Sequence, residues 1–183
     1  MSRRVAVAVM TMALAASSAF AGQAPRKDLQ ILNDISRQVN RYTRFGVFDD
    51  VNASVESGEV TLTGKVTMPY KRNDIEKRVS KVDGVTTVNN QLQVLPVSQF
   101  DDELRFRIAR AIYGNPTFWN YASMANPPIH IVVDHGRVAL TGVVNSNVER
   151  MLARSLATSF GAFSVTNELK TDAEMKATLE NLP

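Results

Sequence analysis

GEVTLTGKV, Gly58 to Val66, decides the fold because the chain writes it a second time: Gly136 to Val144 reads GRVALTGVV. Six of the nine positions are identical, at Gly58/Gly136, Val60/Val138, Leu62/Leu140, Thr63/Thr141, Gly64/Gly142 and Val66/Val144. Strict alternation makes the stretch a strand with one buried face: Val60, Leu62, Gly64 and Val66 point one way, Thr61, Thr63 and Lys65 the other. Ser57-Gly58 and His135-Gly136 stand between alternating runs, where glycine supplies the positive φ of a tight hairpin turn.

The repeat extends in both directions from this strand. Val51, Ala53 and Val55 align with Ile129, Ile131 and Val133 at the same offset of 78. Gly84, Val88, Asn90 and Leu92 align with Gly161, Val165, Asn167 and Leu169 at an offset of 77. A leading amphipathic helix aligns at 73: Ile31, Ile35, Val39 with Leu104, Ile108, Ile112. A second helix starts near Pro69 and presents Ile75, Val79 and Val82; its counterpart presents Ala153, Ala157 and Phe160. The prediction is an α+β protein of two tandem αββαβ units. Each is a three-stranded mixed sheet with two helices on one face and solvent on the other. Asn90 and Asn167 fall in phase with the inward residues of the last strand and are read as structurally hydrogen-bonded. Gly64 is expected to let a helix approach the sheet, and Gly84 and Gly161 to end the second helices in αL.

The N-terminus reads as a secretory signal peptide over residues 1–21: Arg3-Arg4, an apolar run from Val5 to Ala16, then Ala19-Phe20-Ala21 as the cleavage site. An uncleaved anchor is the alternative, but the run is short for a bilayer span. The first unit is then residues 22–97 and the second 98–183, in a periplasmic or secreted protein with no transmembrane segment. The whole chain carries 21 Lys+Arg against 18 Asp+Glu. Removing residues 1–21 takes away two arginines and no acid, leaving about +1, so no nucleic-acid footprint remains. There is no cysteine, hence no disulfide, thiolate metal site or lipid-bearing cysteine.

The order, spacing and duplication of these motifs resemble the BON domain family. The carrying residues are G-x-V-x-L-T-G-x-V in both units, followed by GVTTVNNQL at Gly84–Leu92 and GAFSVTNEL at Gly161–Leu169. The resemblance implies an αββαβ fold, export to the cell envelope, no enzymatic activity, and in several members phospholipid binding, envelope maintenance or osmotic induction.

The two units differ in places that become candidate sites. The second carries extra residues around Tyr113, Phe118, Trp119, Tyr121 and Met124, which include the only tryptophan. Four aromatics can bury roughly 150–250 Å² each, on the order of 15 kcal/mol of potential burial. They must cover something: their own core, the seam between units, or a membrane or ligand contact with Trp119 and Tyr121 at the lipid interface. On the second unit's second helix Val148, Leu152 and Leu156 replace Tyr70, Asp74 and Arg78, so one unit greases a face that the other wets. That face fits the first unit, an external partner or lipid. The first unit's helix places Lys71, Arg78 and Lys81 on one side, a patch for anionic headgroups at up to ~1 kcal/mol per charge, or a solvated face. His130 and His135 lack a third ligand, so no metal site is read, and no catalytic constellation or cofactor motif appears. The expected function is binding of anionic phospholipid or other envelope components through the second unit. The alternative is a stress-protective or protein-interaction module without lipid affinity.

Overall fold

The computed structural model describes residues 27–180, and the signal peptide expected over 1–21 lies outside the described residues. The first unit contains α1 (Asp28–Asn40), β1 (Asp50–Glu56), β2 (Glu59–Val66), α2 (Pro69–Val79), β3 (Thr87–Asn90) and β4 (Gln93–Val94). The second contains α3 (Gln99–Tyr113), a 3₁₀ turn at Pro116–Phe118 and α4 (Trp119–Ala122). It continues with β5 (Ile129–Asp134), β6 (Arg137–Val144), α5 (Asn147–Thr158), β7 (Ser164–Asn167), β8 (Lys170–Thr171) and α6 (Asp172–Glu180).

The opening motif is the central strand of each sheet. β2 runs antiparallel to β1, with Val60 opposite Val55, and parallel to β3, with Val60 opposite Val88. β6 pairs with β5 and β7 in the same pattern. Val60, Leu62 and Val66 are at most 1 % exposed, and Val138, Leu140 and Val144 at most 2 %. Above them lie the stripes Ile31-Ile35-Val39 and Leu104-Ile108-Ile112. The two αββαβ units predicted from the repeat are therefore present, each with its own core.

Three local devices recur in both copies. The hairpin turns hold two successive positive φ values, 52° and 80° at Ser57-Gly58, 51° and 72° at His135-Gly136. This geometry matches the right-handed twist of the flanking strands. The turn amides are gripped by an aspartate from the first turn of the leading helix. Asp28 accepts from Ser57 and Gly58 N–H at 2.7 and 3.0 Å, and Asp101 from His135 and Gly136 at 2.9 and 2.8 Å. Asn90 and Asn167 clamp the last strand to the second helix: their Nδ2 groups donate to the Arg72 and Arg150 carbonyls at 3.1 and 2.8 Å. Their Oδ1 atoms accept from Leu92 and Leu169 N–H. The last strand is thereby broken in two, and β4 and β8 resume pairing further along β2 and β6. The break turns Leu92 and Leu169, each 2 % exposed, into the cores.

Gly64 works otherwise than expected, and Gly142 shares its geometry. Their φ values are +118° and +110°. A Cβ on Gly64 would lie 2.3 Å from the Asp50 carbonyl oxygen, and on Gly142 1.9 Å from that of Pro128. What approaches is the backbone of the neighbouring strand, not a helix. The helix ends also differ: α2 and α5 stop at Ser80 and Ser159 in αR, and Gly84 and Gly161 carry positive φ further on, in the turn into the last strand.

The solvent face predicted for the second sheet is partly covered. Val132, which points away from its own core, is only 5 % exposed. The first unit lies across this region. Val47 O accepts from Ile131 N at 2.7 Å, closing part of the free edge of β5. Lys65 Nζ reaches Asp134 at 2.5 Å, and Thr141 Oγ1 donates to Asp50 at 2.8 Å. Phe48 packs edge-on to Phe106 at 5.2 Å between ring centres and Phe45 against His130 at 5.2 Å. α6 has no counterpart in the first unit: Thr171 and Glu174 cap it reciprocally, and Arg150 pairs with Glu174 at 3.0 Å.

Candidate functional site

The aromatic segment of the second unit is divided between lid and surface. Asn115 accepts from Thr117 N–H at 3.0 Å and starts the 3₁₀ turn with Pro116. That turn drives Phe118 fully into the core, stacked on Tyr121 at 6.0 Å. Tyr121 donates to Glu149 Oε2 at 2.7 Å and accepts from Asn145 N–H at 2.9 Å, fastening the segment to the start of α5. Burial, and then the Glu149 carboxylate, push its phenol up to about 12. Tyr113 is half-buried and donates to the Ile129 carbonyl; burial raises its phenol as well. Trp119 and Met124 stand clear at 63 % and 48 % exposed. Three of the five side chains singled out in the sequence therefore close their own core, and two face outward.

The greasy face of α5 divides in the same way. Leu152 and Leu156 are half-buried against the second unit's own core. Val148 is 73 % exposed, and Met151, which the four-residue stripe missed, is 70 % exposed. Met151 sits three residues after Val148, the other helical neighbour spacing. The Tyr121–Glu149 hydrogen bond ties the segment that carries Trp119 to the first turn of α5, which carries Val148.

The basic side of the first unit is not the set Lys71, Arg78 and Lys81. Lys71 is buried, its ammonium 2.6 Å from Asp49 and 2.7 Å from Thr67 Oγ1. Asp49, fully buried, also accepts from Gly46 N–H, Thr67 N–H and Thr67 O–H. A buried lysine surrounded in this way holds the α1–β1 loop to the start of α2. Lys81 is exposed. Arg78 lays its guanidinium 4.7 Å from the centre of the Tyr42 ring, and Arg44 lies 5.2 Å from that of Tyr70. Arg44 and Tyr42 carried no periodic signal in the sequence, because a loop positions them.

His130 is half-buried in the seam, with its Nδ1 buried and without a partner. Burial lowers its basicity, opposed in part by the Asp50 charge. His135 is an exposed turn residue whose Nδ1 meets Asp134 at 2.6 Å. Lys65, ahead of His135, holds the Asp134 carboxyl below its ordinary range. A cleft of about 350 Å³ opens between the units, floored by Val132, Ala139 and Thr141 and walled by Asp50 and Lys65. A second, of about 650 Å³, runs between α1 and the Asn126–His130 strand entry. Among the described residues no group of three or more His, Asp or Glu is placed to hold a metal ion. An aromatic pair went unread in the sequence: Phe100 and Phe163, 52 % and 79 % exposed, stack at 6.2 Å over the Cβ-less Gly136.

With this geometry in view, the sequence was compared with known proteins. It matches the BON domain family twice, over residues 27–96 and 101–173. Among solved structures it is similar to CdsD, a structural protein of the type III secretion system of Chlamydia trachomatis. That likeness has 15 % identity, covers 84 % of this chain and 99 % of that one, and gives a TM-score of 0.31. The C-terminal domain of CdsD matches at 12 % identity, over 79 % of this chain and 98 % of that one, with a TM-score of 0.29. At such values these likenesses add nothing to the argument. No curated protein matches. The two family matches together span most of the sequence, and the chain belongs to the BON domain family.

Proposed function

From its two tandem BON domains, we propose that the protein is a non-enzymatic, exported envelope protein whose second domain associates with anionic phospholipid or another envelope component. One observation carries this reading: Trp119, Met124, Val148 and Met151 are exposed, while the contacts described across the seam are made by other residues. The intramolecular use that sequence reasoning offered for them is taken by Phe118, Tyr121, Leu152 and Leu156 within their own core, and by Phe45, Phe48 and Val47 at the seam. An exposed indole and exposed aliphatic tips on one domain suit the boundary between headgroup and acyl chain. No described helix is long and apolar enough to cross a membrane, so contact of this kind is peripheral.

Trp119 is the only tryptophan, so its emission reports this surface alone. Vesicles of phosphatidylcholine mixed with phosphatidylglycerol should blue-shift the emission and carry the protein into the pellet at low salt. Unchanged emission together with protein left in the supernatant rejects the reading. A protein-interaction role without lipid affinity is the second reading, favoured by the Phe100–Phe163 pair, whose stacked rings remain open to solvent.

A further inference from the structure

The face of α2 that corresponds to the apolar face of α5 is not simply wet. Tyr70, Asp74 and Arg78 lie four residues apart along it, on one side of the helix. The loop after α1 lays Tyr42 and Arg44 against that side. Tyr42 is 3 % exposed and its hydroxyl donates to Asp74 Oδ2 at 2.7 Å. Its ring carries the Arg78 guanidinium on its face, and Tyr70 carries that of Arg44. Tyr70 and Tyr42 thus each hold a guanidinium along the same side of α2. Burial and the Asp74 hydrogen bond push the Tyr42 phenol up to about 12, which keeps it neutral and donating.

A guanidinium stacked on a ring keeps its N–H donors free at its edge, and those donors match the oxygens of a phosphate bidentately. No carboxylate among the described residues pairs with Arg44 or Arg78. The nearby acids are engaged: Asp74 accepts from Tyr42, and Glu76 accepts from Asn90 at 2.8 Å. Arg41, Arg72 and Lys81 are exposed on the same loop and helix, adding positive charge. Met68 and Tyr70, at 47 % and 44 % exposed, offer apolar tips at the start of α2. Stacking fixes the two guanidinia in advance, which reduces the ordering cost when an anion arrives.

We propose that Arg44 and Arg78, held on Tyr70 and Tyr42, form a binding site for the phosphodiester headgroups of an acidic phospholipid surface. The site rests on the lipid-association reading above and adds to it a charge-selective contact on the first domain, distinct from the apolar contact on the second. The two guanidinia supply anion selectivity, and Met68 and Tyr70 set them at the headgroup level.

The test uses the whole chain and vesicle flotation at several salt concentrations. One set of vesicles is phosphatidylcholine alone; the other contains phosphatidylglycerol as well. The Arg44→Gln/Arg78→Gln variant should bind the acidic vesicles roughly thirtyfold more weakly and with a shallower salt dependence. It should match the parent protein on phosphatidylcholine. Arg44→Gln alone, in an exposed loop residue that leaves the core intact, should give part of the loss. An Arg110→Gln/Arg154→Gln control removes the same charge from the second domain and should bind like the parent. Equal weakening in this control overturns the proposal, because net charge then suffices. Unchanged binding by the Arg44/Arg78 variants also overturns it, while leaving lipid association in place. Inorganic phosphate displacing the acidic vesicles as well as phosphatidylglycerol liposomes do would overturn the lipid as ligand. A parent protein that binds neither vesicle sinks the earlier reading instead.

Discussion

Phe118 and Trp119 are neighbours in sequence with opposite fates, and no periodicity separates them. A 3₁₀ turn capped by Asn115 directs one inward and the other outward, and that turn exists only once the Pro116 neighbourhood has folded. Phe118→Ala should destabilise the second domain by about 3–5 kcal/mol, because it empties a fully buried site. Trp119→Ala should stay within roughly 0.5 kcal/mol of the parent. Urea unfolding of both variants, followed by far-UV circular dichroism, checks the contrast; a Trp119 variant as unstable as the Phe118 one would place the indole in the core. Lys71 shows the same limit of legibility. Its helical position fits a basic face, yet Asp49, distant in sequence, draws it inward. A long-range partner for one side chain leaves no trace in local pattern.

Elements were the most legible level. Apolar residues four apart fixed the buried sides of α1 and α3, alternation fixed β2 and β6, and the duplicated motif gave their equivalence. What stayed hidden were polar connections between elements. Asp28 and Asp101 look like ordinary acids in the first turn of a helix, favourable there through the helix dipole. Each instead reaches a hairpin turn some thirty residues on, about the separation of the two elements along the chain. Asp101→Ala should leave two turn amides without their acceptor and cost about 1–3 kcal/mol. Ser98→Ala, which removes only the α3 cap, should cost about 1 kcal/mol. Thermal unfolding of the two variants measures the difference, and equal losses would reduce Asp101 to a dipole partner. The capping box Thr171-x-x-Glu174 announces α6 by a different signal from the apolar stripes that located the other helices. Asn90 and Asn167 were read as bonded but not as the cause of a strand break, because periodicity does not reveal where a ladder is interrupted.

The relation between the two domains was the least legible level, since the seam is made from loop residues and from a sheet face expected to meet water. His130 sits there, facing the Phe45 ring, the Gly46 and Asp49 backbone and the Asp50 carboxylate. Its folded pKa is depressed below the ordinary value of 6.5 by burial, against the opposing pull of Asp50. The unfolded chain therefore binds the proton more readily. The neutral imidazole contributes stability that is complete above about pH 6.5 and is lost as pH falls through the lower folded value. His130→Gln should flatten the dependence of unfolding free energy on pH between about 7 and 5. An undiminished slope in the variant would assign the effect to other groups. Asp134, depressed by Lys65, acts in a separate window, losing its contribution only as pH falls below the carboxylate range. The seam also has a directional logic. It joins the loop of one domain to the sheet face of the next, a head-to-tail contact with no rotation axis to close it. Such contacts propagate into arrays when every copy offers both surfaces. Here the first domain's sheet puts Ser54 and Thr61 where the second has Val132 and Ala139. The polar pair makes the first domain's sheet a poorer receiver of such a loop than the apolar pair of the second.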